Sequence, residues 1–406
     1  MQLPPLPNAE GVQRSSETQR TQAHSRVAKF VVPEIVFGEG TLAEVGHAAR
    51  RVGGCHVLVV TDPQVVEAGW ADRAVSSLRE AGLGCSVWHD LTPNPKDHEV
   101  AAGFQRYAEQ GCDVLVAVGG GSCIDAAKGI AVLSTNGGRI LDYEGIDRVA
   151  KPIPPVVAAP TTSGSGADVS QFAIITDTTR RIKATLIGRA LVPDISITDP
   201  RLTTTLPNLF RAATGMDALT HGIEAFVSRA ASFLTDSHAL NAIRLIGEHL
   251  PRTIEDPGDR LARASVARAS LEAGLAFTNA ILGATHAMSH QLGGAFDLPH
   301  GMLDAILLPH VMRCNAEAVP ERYVPIAEAL SLDVGRLGAG KAAEAAAAAV
   351  EELTRTVGLP ARLADLGVRP SDLELLAEHA LHDACMTTNP RSMTASGVAA
   401  LFKEAL

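Results

Sequence analysis

The chain has 406 residues, of which 46% are hydrophobic and only 4% are aromatic. This length suits two or three domains of ordinary size, and the scarcity of aromatic side chains argues against a surface that stacks nucleic-acid bases. The formal net charge of -10 argues against nucleic acid or an anionic membrane as a partner.

The start of the chain and its cysteines indicate where the protein works. Residues 1–28 are polar and have no apolar core segment, so we expect a disordered tail rather than a secretion signal. A cleaved organellar address is the weaker alternative, because acidic residues interrupt the segment. No apolar run reaches the roughly 18 residues that a membrane helix needs. The six cysteines have no paired spacing, which predicts neither a disulfide framework nor a CxxC zinc site. These features favour a cytoplasmic protein.

Between residues 29 and 210, short β-branched segments alternate with helical ones. Apolar runs separated by helices are typical of a parallel sheet with helices on both faces. We therefore predict an α/β, Rossmann-like dinucleotide-binding domain over residues 29–210. The predicted strands are His56–Thr61, Asp113–Val118, Pro155–Ala159 and Ile195–Thr198, and the predicted helices include Trp70–Ala81 and Val100–Gln110.

A glycine-rich turn follows the second of these strands. Gly119, Gly120, Gly121 and Ser122 lead into a predicted helix, residues 124–133, with Asp125 in its first turn. Glycine lets the backbone approach a pyrophosphate, and the positive end of the following helix favours an anion there. The run lacks the GxGxxG spacing, and many α/β turns are glycine-rich for steric reasons alone. The pattern predicts a cofactor loop and leaves a purely structural turn open.

A second polar loop, residues 160–166, follows the third predicted strand. Its hydroxyl groups lie where open α/β sheets bind ligands, at the carboxyl end of a strand, although a solvated turn has the same composition. These hydroxyls belong to Thr161, Thr162, Ser163 and Ser165.

Two charged residues add to the cofactor prediction. Asp62 ends the first predicted strand, where a carboxylate can bind an adenosine ribose and repel a 2′-phosphate, which favours NAD over NADP. A helix N-cap before Pro63 is the alternative for Asp62. Lys183 could neutralise phosphate charge, or it could simply be solvated.

The second half of the chain is rich in Ala and Leu at helical spacing, including residues 260–276 and 340–357. This pattern predicts an all-helical domain over residues 211–406, with the boundary at Pro207–Phe210. Together the two halves predict a sheet domain beside a helical domain, with a ligand cleft between them.

One carboxylate and three imidazoles in the helical half form a candidate metal site. Asp217 and His221 are four residues apart, so on a helix they share one face. Oxygen and imidazole nitrogen donors suit Fe(II) or Zn(II). Each histidine taken alone could instead be a hydrogen-bonded core residue. The four predicted ligands are Asp217, His221, His286 and His300.

Five segments of the chain resemble the iron-containing, or group III, alcohol dehydrogenases, and the resemblance runs from about residue 29 to the end. It implies a dehydroquinate synthase-like fold. The segments are VGGGSCIDAAKGIA, APTTSGSGADVSQFAIITD, ATGMDALTHGIEAFVS, HAMSHQLGGAFDLPHGMLDAILLPHVMRCN and DACMTTNPR.

The resemblance also implies residue roles. The metal ligands would be the four residues named above, with Fe(II) as the usual ion and Zn(II) as the alternative. His290, one helical turn after His286, is similar to a histidine near the nicotinamide that helps to relay a proton. The implied NAD contacts are Asp62, Gly119, Gly120, Ser122, Asp125, Thr161, Thr162, Ser165 and Lys183.

The implied reaction is reversible, NAD-dependent oxidation of a small primary alcohol to its aldehyde by hydride transfer, with the metal polarising the substrate oxygen. The implied assembly is a homodimer or a larger homo-oligomer. A hydroxy acid or a diol is the alternative substrate within the family. Outside it, a metal-dependent hydrolase or lyase, or a catalytically silent sensor, remains open.

Overall fold

The computed structural model describes residues 29–406, so the predicted N-terminal tail, residues 1–28, lies outside the described residues. A six-stranded, fully parallel sheet forms the first half, with the strands in the order β1-β9-β6-β4-β2-β3. The bounds are Glu34–Phe37 (β1), His56–Val60 (β2), Gly84–Trp88 (β3), Val114–Gly119 (β4), Val156–Pro160 (β6) and Ile195–Thr198 (β9).

Helices cover both faces of this sheet, which confirms the predicted fold class. In β4, Val114, Val116 and Val118 pack into a core on one face, whereas Leu115 and Ala117 pack into a core on the other. This two-sided burial explains why the central strands are continuous apolar runs. The helices of this half are Val45–Arg51 (α1), Pro63–Glu67 (α2), Trp70–Glu80 (α3), Asp97–Glu109 (α4) and Gly121–Asn136 (α5).

A second, three-stranded sheet was absent from the sequence prediction, as were the strands β1 and β3. It contains Gly145–Ile146 (β5), Phe172–Asp177 (β7) and Ile182–Ile187 (β8) in the order β5-β8-β7, with β7 and β8 antiparallel. Strands β1, β3 and β5 are short or only partly buried, so they lack the apolar runs that identify the central strands. Strands β7 and β8 have six residues each and are mostly buried.

The second half is helical, and among the described residues no strand follows β9. Its long helices pack around an alanine-rich core, and α6 is buried over most of its length. None of the helices in residues 29–406 has the length and apolar character that crossing a membrane requires. The bounds are Asn208–Val227 (α6), Phe233–Glu255 (α7), Arg260–Ala280 (α8), Ala284–Phe296 (α9), His300–Ala316 (α10), Pro320–Ala329 (α11), Ala339–Thr356 (α12), Leu373–Ala380 (α13) and Ala395–Glu404 (α14).

Candidate active site

The carboxyl ends of β2 and β4 form a crevice where the strand order reverses. The chain runs from β2 outward to β3 and then returns to β4 on the other side of β2, and open α/β sheets bind ligands at such a point. A Cβ atom at Gly119 would lie 2.3 Å from Cys123 Sγ and 3.6 Å from Asp62 Oδ2. Glycine is therefore required at this end of β4.

The two polar loops that were predicted separately lie against each other. A Cβ atom at Gly120 would be 3.3 Å from Thr162 Cγ2, and one at Gly121 would be 2.9 Å from Ser165 Oγ. Helix α5 begins at Gly121, and its N-cap residue provides no side-chain hydrogen bond. Its first N–H groups are thus left for an anionic ligand.

Four of the predicted cofactor side chains, those of Asp62, Ser122, Asp125 and Ser165, also have hydrogen bonds within the protein. Asp62 Oδ1 accepts from the Val65 N–H at 2.9 Å and so caps α2; its Oδ2 accepts from Cys123 Sγ at 3.2 Å. Ser122 Oγ accepts from the Asn94 N–H at 3.1 Å. The N-cap alternative for Asp62 is therefore realised, and its contact with a cofactor stays a prediction.

Asp125 is the third of these residues. Its Oδ2 accepts from the Ile174 N–H in β7 at 3.1 Å, so it joins α5 to the small sheet. Burial raises the pKa of Asp125 to about 6, although Lys128 nearby opposes the shift. Its role toward a cofactor likewise stays a prediction.

Lys183 lies between the two halves rather than in open solvent. It is partly buried in β8, and a Cβ atom at Gly293 of α9 would lie 2.8 Å from its Cε and 3.0 Å from its Nζ. Burial lowers the pKa of Lys183, while carboxylates of both halves, led by Asp304, favour its charged form. Carboxylates of the sheet half and of the helical half therefore both act on the charge of its ammonium group.

The predicted metal ligands come together from three helices. Asp217 and His221 lie on α6, His286 on α9 and His300 at the start of α10. Asp217 Oδ1 is 3.5 Å from His221 Nε2 and 3.6 Å from His286 Nε2. The ring centroids of His286 and His300 are 5.2 Å apart. The structure thus brings the four residues into one region, with His221 beside Asp217 and stacked on His286 but outside the group whose donor atoms all lie within 4.8 Å of one another.

A fifth residue at this place, Asp304, was missed from the sequence. Its Oδ2 is 3.3 Å from His300 Nε2 and 3.9 Å from His286 Nε2. One donor atom each from Asp217, His286, His300 and Asp304 lies within 4.8 Å of the others. A signal was available, because Asp304 follows His300 by four residues, the same spacing that marks the Asp217 and His221 pair.

Close packing of α10 on α6 makes this cluster possible. A Cβ atom at Gly301 would lie 2.1 Å from the Ala213 carbonyl oxygen and 3.2 Å from Asp217 Cβ. Any larger residue at this position would therefore separate the two helices and move Asp217 away from His300.

The ring orientation of each histidine in the cluster is fixed by a partner at Nδ1. Glu224 Oε2 lies 2.7 Å from His286 Nδ1, the Gly164 carbonyl oxygen 3.2 Å from His221 Nδ1, and Ser289 Oγ 3.4 Å from His300 Nδ1. When Nδ1 carries the proton, Nε2 presents its lone pair to the cluster, as in histidines that bind metals.

Glu224, a residue that the sequence analysis missed, also caps helix α9. Its carboxylate accepts from the N–H groups of Gly283 at 3.0 Å and Thr285 at 2.6 Å. The N-cap residue of α9, Gly283, has no side chain that could make such bonds. A carboxylate from α6 therefore caps the helix that carries His286 and orients its imidazole.

His290 belongs to a different group of side chains. Its Nδ1 is 2.9 Å from Asp383 Oδ2, and its ring stacks on that of His300 at 5.3 Å between centroids. Although burial opposes ionisation, His290 and the Cys385 N–H hold the pKa of Asp383 below its ordinary value. The family-like segment DACMTTNPR therefore contacts α9 at two points. Asp383 binds His290, and Asn389 accepts from the Ala284 N–H at 3.1 Å.

Polar atoms at the cluster lack the partners that burial normally requires. Among the described residues, seven buried side-chain atoms have no hydrogen-bond partner, and four of these belong to the cluster: Asp217 Oδ1, His286 Nε2 and both oxygens of Asp304. A cation bound among these atoms would satisfy all four, so the residues present fit a metal ion.

The pKa shifts at the cluster reflect the same lack of partners. Burial raises the pKa of Asp304 to about 8 and lowers that of His221 to about 4. Burial also lowers the pKa of His300, and the positive charge of Lys183 adds to the effect. His286 differs, because Asp304, Asp217 and Glu224 outweigh the effect of burial and raise its pKa. The raised pKa values mean that Asp304 and His286 hold protons in this buried cluster, and a bound cation would replace those protons.

Comparisons with known proteins cover nearly the whole of the described chain. The model of the iron-containing alcohol dehydrogenases matches residues 33–200, and that of the C-terminal part of the Fe-containing alcohol dehydrogenase family matches residues 211–406. The chain is 40% identical over 377 residues to the NAD-dependent methanol dehydrogenase of Bacillus methanolicus, covering 93% of this chain and 99% of that protein.

Two further comparisons concern propanediol. The chain is 40% identical over 383 residues to the 1,3-propanediol dehydrogenase of Klebsiella pneumoniae, covering 94% of this chain and 99% of that protein. A crystal structure of a 1,3-propanediol oxidoreductase superposes with a TM-score of 0.91 at 40% identity, covering 94% of this chain and 100% of that one.

Proposed function

This chain belongs to the iron-containing alcohol dehydrogenase family and is an alcohol oxidoreductase, and from that premise we propose that it reversibly oxidises a small primary alcohol to its aldehyde with NAD and Fe(II). The observation that supports this proposal is a hydrogen-bond contact between the sheet half and the helical half. The Gly164 carbonyl of the predicted cofactor loop lies 3.2 Å from Nδ1 of His221 in the metal cluster. Cofactor loop and metal site are therefore adjacent.

We assign the ion to Asp217, His221, His286 and His300. When bound, the ion supplies Lewis acidity and the nicotinamide supplies the hydride-accepting ring. The chain itself contributes fixed imidazole orientations and a site from which water is largely excluded, since His221 and His286 are 4% and 1% exposed. Low exposure strengthens the electrostatic interactions of the reacting groups.

The cofactor is assigned to the crevice at β2, β4 and β6. The uncapped start of α5 binds the pyrophosphate through backbone N–H groups, and the Asp62 carboxylate disfavours a 2′-phosphate. Lys183 adds a positive charge between pyrophosphate and metal cluster. The remaining contacts of this assignment are Gly119, Gly120, Ser122, Asp125, Thr161, Thr162 and Ser165.

We assign proton relay to His290. Asp383 accepts a hydrogen bond from its Nδ1 at 2.9 Å, which leaves Nε2 free to accept a proton. The His290 side chain is only 4% exposed, so the relay needs a path to solvent through the substrate or the cofactor.

The substrate class follows from the relatives. Methanol and 1,3-propanediol, in the names of two of them, both carry a primary hydroxyl group. A small primary alcohol is therefore the proposed substrate, and a diol or a hydroxy acid is the alternative. We further propose a homodimer or larger assembly, supported by the edge strand β1 with its exposed Phe37, and a cytoplasmic location, supported by six free cysteines.

A substrate panel tests the proposal. The protein is loaded with Fe(II) without oxygen, its metal content is measured, and NADH consumption is followed with formaldehyde, propanal, 3-hydroxypropanal and a 2-oxo acid. We expect consumption with the aldehydes and slower turnover with NADPH. Metal-loaded, folded protein that consumes no NADH with any substrate would contradict the proposal and would favour a hydrolase or a silent sensor.

A further inference from the structure

We propose that Asp304 is a further ligand of the metal site, so that two carboxylates and not one hold the ion together with the imidazoles. This inference rests on the proposed function, because it assumes that the cluster binds a divalent ion. Asp304 lies in the first turns of α10, four residues after His300, and its side chain is fully buried.

The first observation is that both oxygens of Asp304 lack a hydrogen-bond partner among the described residues. A buried carboxylate without partners is costly. Glu224 accepts from Gly283, Thr285 and His286, and Asp383 accepts from His290 and Cys385. Asp217 has one oxygen without a partner, but Asp304 has two, and a cation bound between the two carboxylates would satisfy both.

The second observation is distance. Ligands about 2.1 Å from one ion can be at most about 4.2 Å apart. The Asp304 Oδ2 atom meets this limit to His300 Nε2 at 3.3 Å and to His286 Nε2 at 3.9 Å. The Asp217 Oδ1 atom meets it to His286 Nε2 at 3.6 Å. Both carboxylates therefore reach the position that the imidazoles share.

The third observation is charge. Two carboxylates neutralise a divalent ion, whereas one leaves a net positive charge in a buried site. Lys183 is the nearby cation that could balance Asp304 instead, since Asp304 favours the charged form of Lys183. In the described part of the chain, however, the salt bridges of Asp304 involve only His286 and His300.

A second carboxylate has a consequence for metal choice. Hard oxygen donors suit Fe(II) and Mn(II) better than they suit the four-coordinate sites of Zn(II). Removing Asp304 should therefore weaken Fe(II) and Mn(II) binding more than Zn(II) binding.

Metal titration of the apoprotein tests the inference without any turnover measurement. Asp304→Asn keeps the shape and removes the charge, and Asp304→Leu removes both oxygens at similar volume. We expect Asp304→Asn to weaken Mn(II) binding by about tenfold or more, measured by calorimetry, with a smaller loss for Zn(II). The visible spectrum of the Co(II)-loaded protein should also change, because that spectrum reports the ligands.

The stability of the same variants gives an independent measurement. Asp304→Leu should raise the melting temperature of the apoprotein, because it replaces unpaired buried oxygens by apolar atoms. It should also reduce the increase in melting temperature on adding Mn(II). Asp199→Asn is the matched control, since it alters a buried carboxylate of the sheet half that belongs to neither group of possible metal ligands and should leave Mn(II) affinity unchanged.

Asp217→Asn separates failure of this inference from failure of the proposed function. Wild-type Mn(II) affinity and Co(II) spectrum in Asp304→Asn, with binding lost in Asp217→Asn, would overturn the role of Asp304 alone. Wild-type binding in both variants would overturn the metal site itself and the function built on it.

Discussion

The two regions of the active site treat their polar side chains in opposite ways. In the sheet half, Asp62 and Ser122 of the predicted cofactor crevice make hydrogen bonds within the protein, and the buried Thr61 Oγ1 beside them is a single atom without a partner. In the helical half, Asp217, His286 and Asp304 bury polar atoms that have no partner. An organic cofactor can bind through backbone N–H groups at an open strand end, whereas a metal ion needs converging side chains. Several unsatisfied atoms that converge on one point therefore indicate a metal site, whereas isolated ones such as Thr61 Oγ1 do not.

The largest expected effect comes from Asp217. Asp217→Asn removes the carboxylate that lies within 3.6 Å of two imidazoles, so we expect bound Fe(II) to be lost. Turnover should fall by about 10³-fold, since the electrostatic contribution of a metal is several kcal/mol. Metal analysis and NADH consumption on one sample check this, and Glu248→Gln on the exposed side of α7 is the control. Full metal occupancy in Asp217→Asn would mean that the ion binds elsewhere.

The next effect separates His290 from the ligands. His290→Ala should lower turnover by about 100-fold, the usual contribution of a positioned acid or base, while metal content stays at the wild-type value. Asp383→Asn should act in the same direction but less strongly, because it leaves the imidazole in place and loosens only its orientation. If His290→Ala releases the metal, the imidazole is a ligand and the relay role is wrong.

Glu224 tests how far the helical half depends on the partners of its ligands. Glu224→Gln keeps an oxygen acceptor but cannot satisfy both N–H groups at the start of α9 and the His286 imidazole. We expect metal affinity to fall by about tenfold, with the cofactor affinity unchanged. Calorimetric titration with Mn(II) and with NADH gives the two values, and equal losses in both would contradict the separation of the two regions.

The same contrast explains what could be predicted from the sequence. The strands β2, β4, β6 and β9 were found because burial on both faces makes them continuous apolar runs. The edge strands β1 and β3 were not, because their side chains are only partly buried and their pairing depends on residues distant in the chain. Local sequence patterns are thus sufficient to predict the fold class, whereas the edge strands depend on contacts with the rest of the sheet.

The residues of the candidate site also differ in how far the sequence could predict them. The four ligands were predicted from their residue types, their spacing and the family resemblance, and their role stays a prediction. Glu224 is seven residues after Asp217, and Asp304 is four after His300, so helical spacing could have indicated both. Asp383 lies 93 residues from its partner His290, and no local spacing reports such a contact. The domain boundary at residues 207–210 remains a prediction.

A smaller effect is expected in the sheet half, where Asp62 serves both as N-cap and as a predicted selector of NAD. Asp62→Ser keeps a capping oxygen and removes the charge, so the fold should be retained. The Kd for NADPH should fall by about fivefold, since repulsion near the surface is worth about 1 kcal/mol. Fluorescence titration with NADH and NADPH measures this. An unchanged ratio of the two Kd values would leave Asp62 with its capping role alone.

The smallest effect concerns Asp199, a sheet-half carboxylate whose partners are all internal. Its Oδ2 accepts from the Gly40 N–H at 3.0 Å and from Arg201 Nη2 at 2.8 Å. Although burial opposes ionisation, Arg201 and the backbone donors hold the pKa of Asp199 below its ordinary value. A lowered carboxyl pKa stabilises the fold above the ordinary value near 3.9 and loses that contribution as the pH falls through the folded value.

Asp199→Asn should therefore lower the melting temperature at pH 7 by a few degrees, an effect of about 1–2 kcal/mol, and the gap to wild type should narrow as the pH falls below about 4. Metal content and the Kd for NADH should not change, because the bonds of Asp199 support β1 and not the crevice. A gap that stays constant with pH would show that only the shape of the side chain matters. A loss of metal would show that the two regions are less independent than their hydrogen bonds indicate.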